Sequence, residues 1–123
     1  MNVLIIEKSE ILNERYTRLL SPLNEIEMLT HSPLSEKTFH FVQNQKTEVI
    51  VIAQDLDSNI YFNCIKKLKE VSPNSYIIIL SSKSFPQIFK KYKEWGADFI
   101  LDKSTEFNKL PKVFQELNSE NAN

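Results

Sequence analysis

The side chains able to do chemistry in this chain stand at the ends of short apolar runs. Glu7 and Lys8 follow residues 3–6, Ser81 and Ser82 follow residues 76–80, and Lys103 follows residues 98–101. Residues 49–52 end instead in Ala53, with Asp55 and Asp57 just beyond. Carboxylates offer oxygen ligands to a hard cation, and ammonium groups neutralise an anion. Other reactive types have weaker prospects. His31 and His40 have no His or Cys partner at ligand spacing, so no metal site is expected there. Cys64 has no base close by in sequence and is expected to pack in the core. With a single Gly in the chain, a Gly-rich phosphate loop cannot be built, which disfavours nucleotide binding.

Five alternations of β-type runs and helical patterns position these residues. Residues 3–6 predict a buried strand. Ser9 then caps a helix whose inner face carries Ile11, Leu12, Tyr16, Leu19 and Leu20, and Ser21-Pro22 ends it. Residues 26–29 predict a weaker second strand. Ser32-Pro33 suits the start of a second helix, with Phe39, Val42 and Leu34 turned inward. Residues 48–53 read as a central parallel strand, apolar on both faces. Phe62, Ile65 and Leu68 give the next helix its inner face, and Ser72-Pro73-Asn74 breaks the chain. Residues 76–80 form the fourth strand. Ser84-Phe85-Pro86-Gln87 resembles a capping box for a helix ending at Trp95, with Gly96 as its left-handed stop. Residues 98–101 are the fifth strand. Asn108 is placed as the cap of the last helix, with Pro111 in its first turn and Val113, Phe114 and Leu117 buried.

Five such units imply a three-layer α/β/α fold with a parallel sheet and helices on both faces. Ligands of such sheets sit beyond the carboxyl ends of the strands, which is where Glu7, Ala53, Ser81 and Lys103 fall. At 123 residues one domain is expected, spanning 1–118, with 119–123 a polar tail. Composition is that of a soluble globular chain, 41% hydrophobic and 25% charged. A formal charge of -1 gives no strong attraction to nucleic acid or anionic membrane. The apolar runs are too short to span a bilayer, and no secretory signal is recognisable. A lone Cys suits a reducing cytoplasm.

The opening Met1-Asn2-Val3-Leu4-Ile5-Ile6-Glu7-Lys8-Ser9 and the closing Trp95-Gly96-Ala97-Asp98-Phe99-Ile100-Leu101-Asp102-Lys103-Ser104 resemble those of a response-regulator receiver domain, of the CheY-like superfamily. The resemblance covers essentially the whole chain. It implies a flavodoxin-like (βα)5 fold with strand order 2-1-3-4-5. In receivers, acidic residues after the first strand and an Asp ending the third hold Mg²⁺. That Asp accepts a phosphoryl group, which a Ser or Thr after the fourth strand and a Lys after the fifth then contact. Carried over by position, Glu7 matches the first acid, Lys8 replaces the second, Ala53 replaces the acceptor, Ser81 matches the hydroxyl and Lys103 the lysine. Ile100, beside Phe99, holds the aromatic switch position. A methyl group cannot attack phosphorus, and an ammonium at Lys8 repels Mg²⁺ by on the order of several kcal/mol at close range. Two readings of Lys8 stand side by side: it pairs with Glu7 or a neighbouring acid, or it points into solvent.

The register decides whether Ala53 or Asp55 holds the acceptor position. In receivers, apolar residues follow the acceptor at nine, twelve and fifteen positions; from Ala53 the resemblance thus implies Phe62, Ile65 and Leu68, whereas from Asp55 it would imply Cys64, Lys67 and Glu70, burying two charges. The expectation is a degenerate pseudo-receiver: a stand-alone, cytoplasmic, non-enzymatic interaction module of bacterial two-component or phosphorelay signalling, without cofactor or metal. The alternative is an active receiver phosphorylated on Asp55 or Asp57, with Mg²⁺ held through Glu7 and one of these. The resemblance places signalling on the fourth helix, fifth strand and fifth helix, where Ile88, Phe89, Tyr92 and Trp95 are either core residues or an interface. A histidine kinase, an output protein or a second copy of the chain is the expected partner. The lysines of the third and fourth helices are read as solvated faces, so neither nucleic acid nor membrane is expected.

Overall fold

The computed structural model describes residues 1–83 and 85–121. Three β-branched, aliphatic strands form its centre: β1 (Asn2–Ile6), β3 (Val49–Ile52) and β4 (Tyr76–Ser81). The edges are β2 (Met28–Ser32) and β5 (Phe99–Asp102). All neighbours pair in parallel, in the order β2-β1-β3-β4-β5. Successive side chains of a strand point to opposite faces. Val3, Ile5, Val49, Val51, Ile78 and Leu80 therefore pack against α1 (Glu10–Leu20) and α5 (Leu110–Asn121). Leu4, Ile6, Ile50, Ile52, Ile77 and Ile79 pack against α2 (Glu36–Asn44), α3 (Ser58–Val71) and α4 (Pro86–Trp95). Each central strand is apolar on both sides because helices cover both.

The expected three layers, helix order and strand order are all observed, but several local expectations are corrected. Ile11 is 73% exposed, since the buried stripe of α1 runs through Leu12, Tyr16, Leu19 and Leu20 and its neighbour in sequence lies about 100° around the helix. The second strand is β2, residues 28–32, not 26–29: Asn2 pairs with Met28 and Ile6 with Ser32, while Ile26 joins the core ahead of the strand. An edge strand needs less apolar surface, so Thr30 and His31 carry no warning in the sequence. Ser32 thus ends β2 and does not start α2. The helix begins after Ser35, whose N–H donates to the Thr38 hydroxyl at 3.1 Å.

In α3 the buried stripe is Tyr61, Cys64, Ile65 and Leu68. Phe62, expected inside, is 39% exposed and lies edge-on against Trp95. At α4 the N-cap position is Phe85, with Pro86 in the first turn; Ser84, expected to cap, lies outside the described residues. Asn108 does not cap α5. It sits in a short 3-10 turn, Phe107–Lys109, closed from Glu106, whose carbonyl accepts the Lys109 N–H. Pro111 does fall in the first turn of α5, and Val113, Phe114 and Leu117 are buried as expected. Helix α5 continues through Ser119 to Asn121, the first part of the expected polar tail; residues 122–123 lie outside the described residues.

Candidate functional site

The carboxyl ends of β1, β3, β4 and β5 meet at one end of the sheet, as parallel pairing requires. The Glu7 N–H still donates to the Ser32 carbonyl, which holds the residue in line with β1. Its side chain is only 3% exposed. A buried carboxylate needs hydrogen bonds and an opposite charge. Glu7 Oε2 accepts the N–H of Lys8 at 3.0 Å and of Ser9 at 3.4 Å, over the turn into α1. Glu7 Oε1 accepts the Tyr16 hydroxyl at 2.9 Å and the Lys103 ammonium at 3.0 Å.

Lys103 reaches Glu7 across the sheet end. Its N–H donates to the Ser81 carbonyl, so the strand end is held beside β4. The Asp102 carboxylate then turns the chain by accepting the N–H groups of Ser104 and Thr105. From there the ammonium donates to the Ala53 carbonyl at 2.6 Å and lies 3.9 Å from Asp55 Oδ2. Ala53 itself is fully buried, and its N–H and that of Gln54 both donate to the Ile6 carbonyl. The residue that closes β3 beside Glu7 thus presents a methyl group.

Asp55 lies two residues further, half-exposed, and takes its bonds from the β4 side. Its Oδ1 accepts the Ser82 N–H at 3.1 Å and its Oδ2 accepts the Ser82 hydroxyl at 2.9 Å. Ser81 is buried, and its hydroxyl donates to the Lys83 carbonyl while accepting the Lys83 N–H. Asp57 is exposed at the N-cap position of α3 and makes no capping bond with its side chain.

Of the sequence-derived residues, Glu7, Ala53 and Lys103 come together. Ser81 stands beside them with its hydroxyl turned to its own loop. Of the two readings of Lys8, the structure has the solvent-exposed one: the side chain forms no ion pair among the described residues, and only its backbone N–H meets Glu7. Lys103 supplies the cation. Tyr16 was legible only as a core residue. The need of a buried phenol for a partner was the available signal. Burial, with the Glu7 bond second, raises its ionisation above the ordinary tyrosine range.

The carboxylates that a divalent ion would need here, Glu7 and Asp55, both face the Lys103 ammonium. One Glu7 oxygen is already held by an ammonium, the Ala53 position offers only a carbonyl that the same ammonium occupies, and no cluster of three acidic, His or Cys ligands exists among the described residues. His31 accepts or donates at Nε2 to the Thr17 hydroxyl, and burial lowers its pKa. Cys64 is buried, its thiol pushed up to about 12 by loss of hydration.

On α4, Tyr92 is buried between the rings of Tyr61 and Trp95. Ile88, Phe89 and Trp95 are partly buried against the same core. Pro86, Phe89 and Ile100 line a groove between α4 and the β5 end together with Lys90, Lys93, Asp102, Thr105 and Glu106. Ile100, at the expected switch position, is a branched aliphatic packed in place. No helix among the described residues is long and apolar enough to cross a membrane.

No protein-family model matches the chain, and no curated protein is similar to it in sequence. Its backbone is similar to solved response regulators. RcsB of Salmonella typhimurium superposes with a TM-score of 0.84 at 20% identity, over 98% of this chain and 60% of that one. A response regulator from Thermotoga maritima gives 0.83 at 16%, over 96% and 97%. HP1043, described as an orphan response regulator of H. pylori, gives 0.75 at 17%, over 97% and 94%. The chain thus spans 60% of the RcsB chain and nearly all of the other two. With five parallel strands in the order 2-1-3-4-5 and helices on both faces, the chain has the flavodoxin-like fold of response-regulator receiver domains.

Proposed function

We propose that this chain is a pseudo-receiver: a protein-interaction module of bacterial two-component signalling whose conformation is set without phosphate. One observation carries the reading. The position that closes β3 beside Glu7 is the buried Ala53, and the Lys103 ammonium bonds both Glu7 and the Ala53 carbonyl. A site built this way has its acid neutralised from within and has no nucleophile at the acceptor position. Partners are then read through the α4 and β5 groove, where Phe89 and Ile100 lie among Lys90, Lys93, Asp102 and Glu106. A histidine kinase, an output protein or a second copy of the chain are the partners this reading favours.

Intact-mass measurement after incubation with Mg²⁺ and acetyl phosphate tests it, with Ala53→Asp alongside. The parent is expected to remain unmodified while the variant gains one phosphoryl group. A phosphoryl group on the parent, mapped to Asp55 or Asp57, would overturn the reading in favour of a substitute acceptor.

A further inference from the structure

The Ser82 contacts of Asp55 join parts of the chain that nothing in the sequence links. We infer that Asp55 is a clasp that fixes the entry to α4, and with it the face carrying Phe85 and Phe89. The carboxylate lies on the segment after β3. It receives both the N–H and the hydroxyl of Ser82, on the segment after β4. The Lys103 ammonium, on the segment after β5, lies 3.9 Å away and is itself anchored on Glu7 and the Ala53 carbonyl. Three segments thus share one anion, and its bonds to Ser82 are charge-assisted, the stronger kind.

The clasp matters because α4 begins with little of its own to hold it. Phe85 stands at the N-cap position and makes no side-chain capping bond, and Pro86 follows it. The N–H groups of Ile88 and Phe89 rest on the Phe85 carbonyl at 3.0 and 3.1 Å. Ser82 is three residues before Phe85, and the Lys83 N–H that follows it donates to the Ser81 hydroxyl at 3.1 Å. Phe85 is 59% exposed, so packing contributes little to its position. Asp55 and Ser82 are both solvent-accessible, so the clasp can open without unfolding the core. The inference rests on the interaction-module reading only in taking the α4 face as the surface presented to partners.

Amide hydrogen exchange, resolved by residue, tests this on the parent, Asp55→Ala, Ser82→Ala and, as control, Asp57→Ala. Asp55→Ala is expected to speed exchange at Ser82, Lys83, Ile88 and Phe89 by roughly five- to tenfold, the scale of losing one or two exposed hydrogen bonds. Ser82→Ala keeps the N–H bond and is expected to give a smaller increase at the same amides. Asp57→Ala should leave them unchanged, and amides of β1 and β3 should be unaffected in all three. The clasp is refuted if Asp55→Ala and Ser82→Ala leave these amides at parental rates, or if β1 and β3 speed up equally, which would mean general destabilisation. Acetyl phosphate labelling of the same parent sample reports separately on the pseudo-receiver reading.

Discussion

At the scale of single residues, the site is governed by how a buried carboxylate is satisfied. Glu7 is neutralised by Lys103 and hydrogen-bonded by Tyr16, so removing either leaves an uncompensated group in the core. Tyr16 gives the pH signature. Its folded-state pKa is raised, first by burial and second by Glu7, above the ordinary value of 10.0. A raised folded value means the folded protein holds the proton more tightly than the unfolded chain. Stability is then fully present below pH 10.0 and declines as pH rises beyond it. Urea unfolding at neutral and alkaline pH checks this. Tyr16→Phe is expected to cost about 1–2 kcal/mol at neutral pH and to flatten the alkaline decline. An equally steep decline in the variant would assign the effect to other groups, such as Tyr61 and Cys64, which burial also raises. Glu7, Ala53 and Lys103 were legible in the sequence as residues following apolar runs. Their mutual contacts were not, since Lys103 lies ninety-six residues from Glu7 and no local pattern records such a distance.

Elements form where period and punctuation agree, and the misplacements occur where they conflict. Helix α4 ends at Gly96, which adopts φ 123°, a conformation an L side chain rarely takes. A Cβ there would also sit 3.1 Å from Lys69 Cε and 3.5 Å from Ile65 Cγ2. Gly96→Ala is accordingly expected to lower stability by about 1–2 kcal/mol, read as a fall in the thermal midpoint. A midpoint at or above the parent's would mean that the turn adopts another conformation. Phe62 illustrates the conflict. Its spacing to Ile65 and Leu68 is helical, but Tyr61 shares the i, i+3, i+4, i+7 stripe more completely and takes the inner place. β2 illustrates it at the sheet edge, where pairing with β1 outweighs the apolar cluster around Ile26.

For the molecule as a whole, function must follow from a surface if the end of the sheet is chemically silent. A ligand that binds only the native state raises the midpoint by an amount that grows with its concentration relative to Kd, so Mg²⁺ is a direct probe. Thermal melts of the parent are expected to coincide with and without Mg²⁺, because Lys103 already holds Glu7. The double variant Lys8→Asp, Ala53→Asp adds two carboxylates at the same end and is expected to be raised by Mg²⁺. A Mg²⁺-dependent rise in the parent would show that Lys103 is displaced and the native site accepts a cation. On the proposed reading that surface is the α4 groove, where Phe89 and Ile100 lie among Lys90, Lys93, Asp102 and Glu106.

The sequence alone determined the layer architecture, because alternating apolar runs and helical periods leave few ways to bury both faces of a parallel sheet. It also placed Ala53 at the end of the third apolar run, though β3 spans Val49–Ile52 and not the expected 48–53, and of the helix positions used for that register Ile65 and Leu68 are buried while Phe62 is exposed. Tertiary structure decided which cation meets Glu7, that Lys8 faces water, and that Asp55 spans to Ser82. Those outcomes depend on distances between the ends of separate strands. Such distances are set only when the strands are laid side by side, and residue types along one chain do not encode them locally.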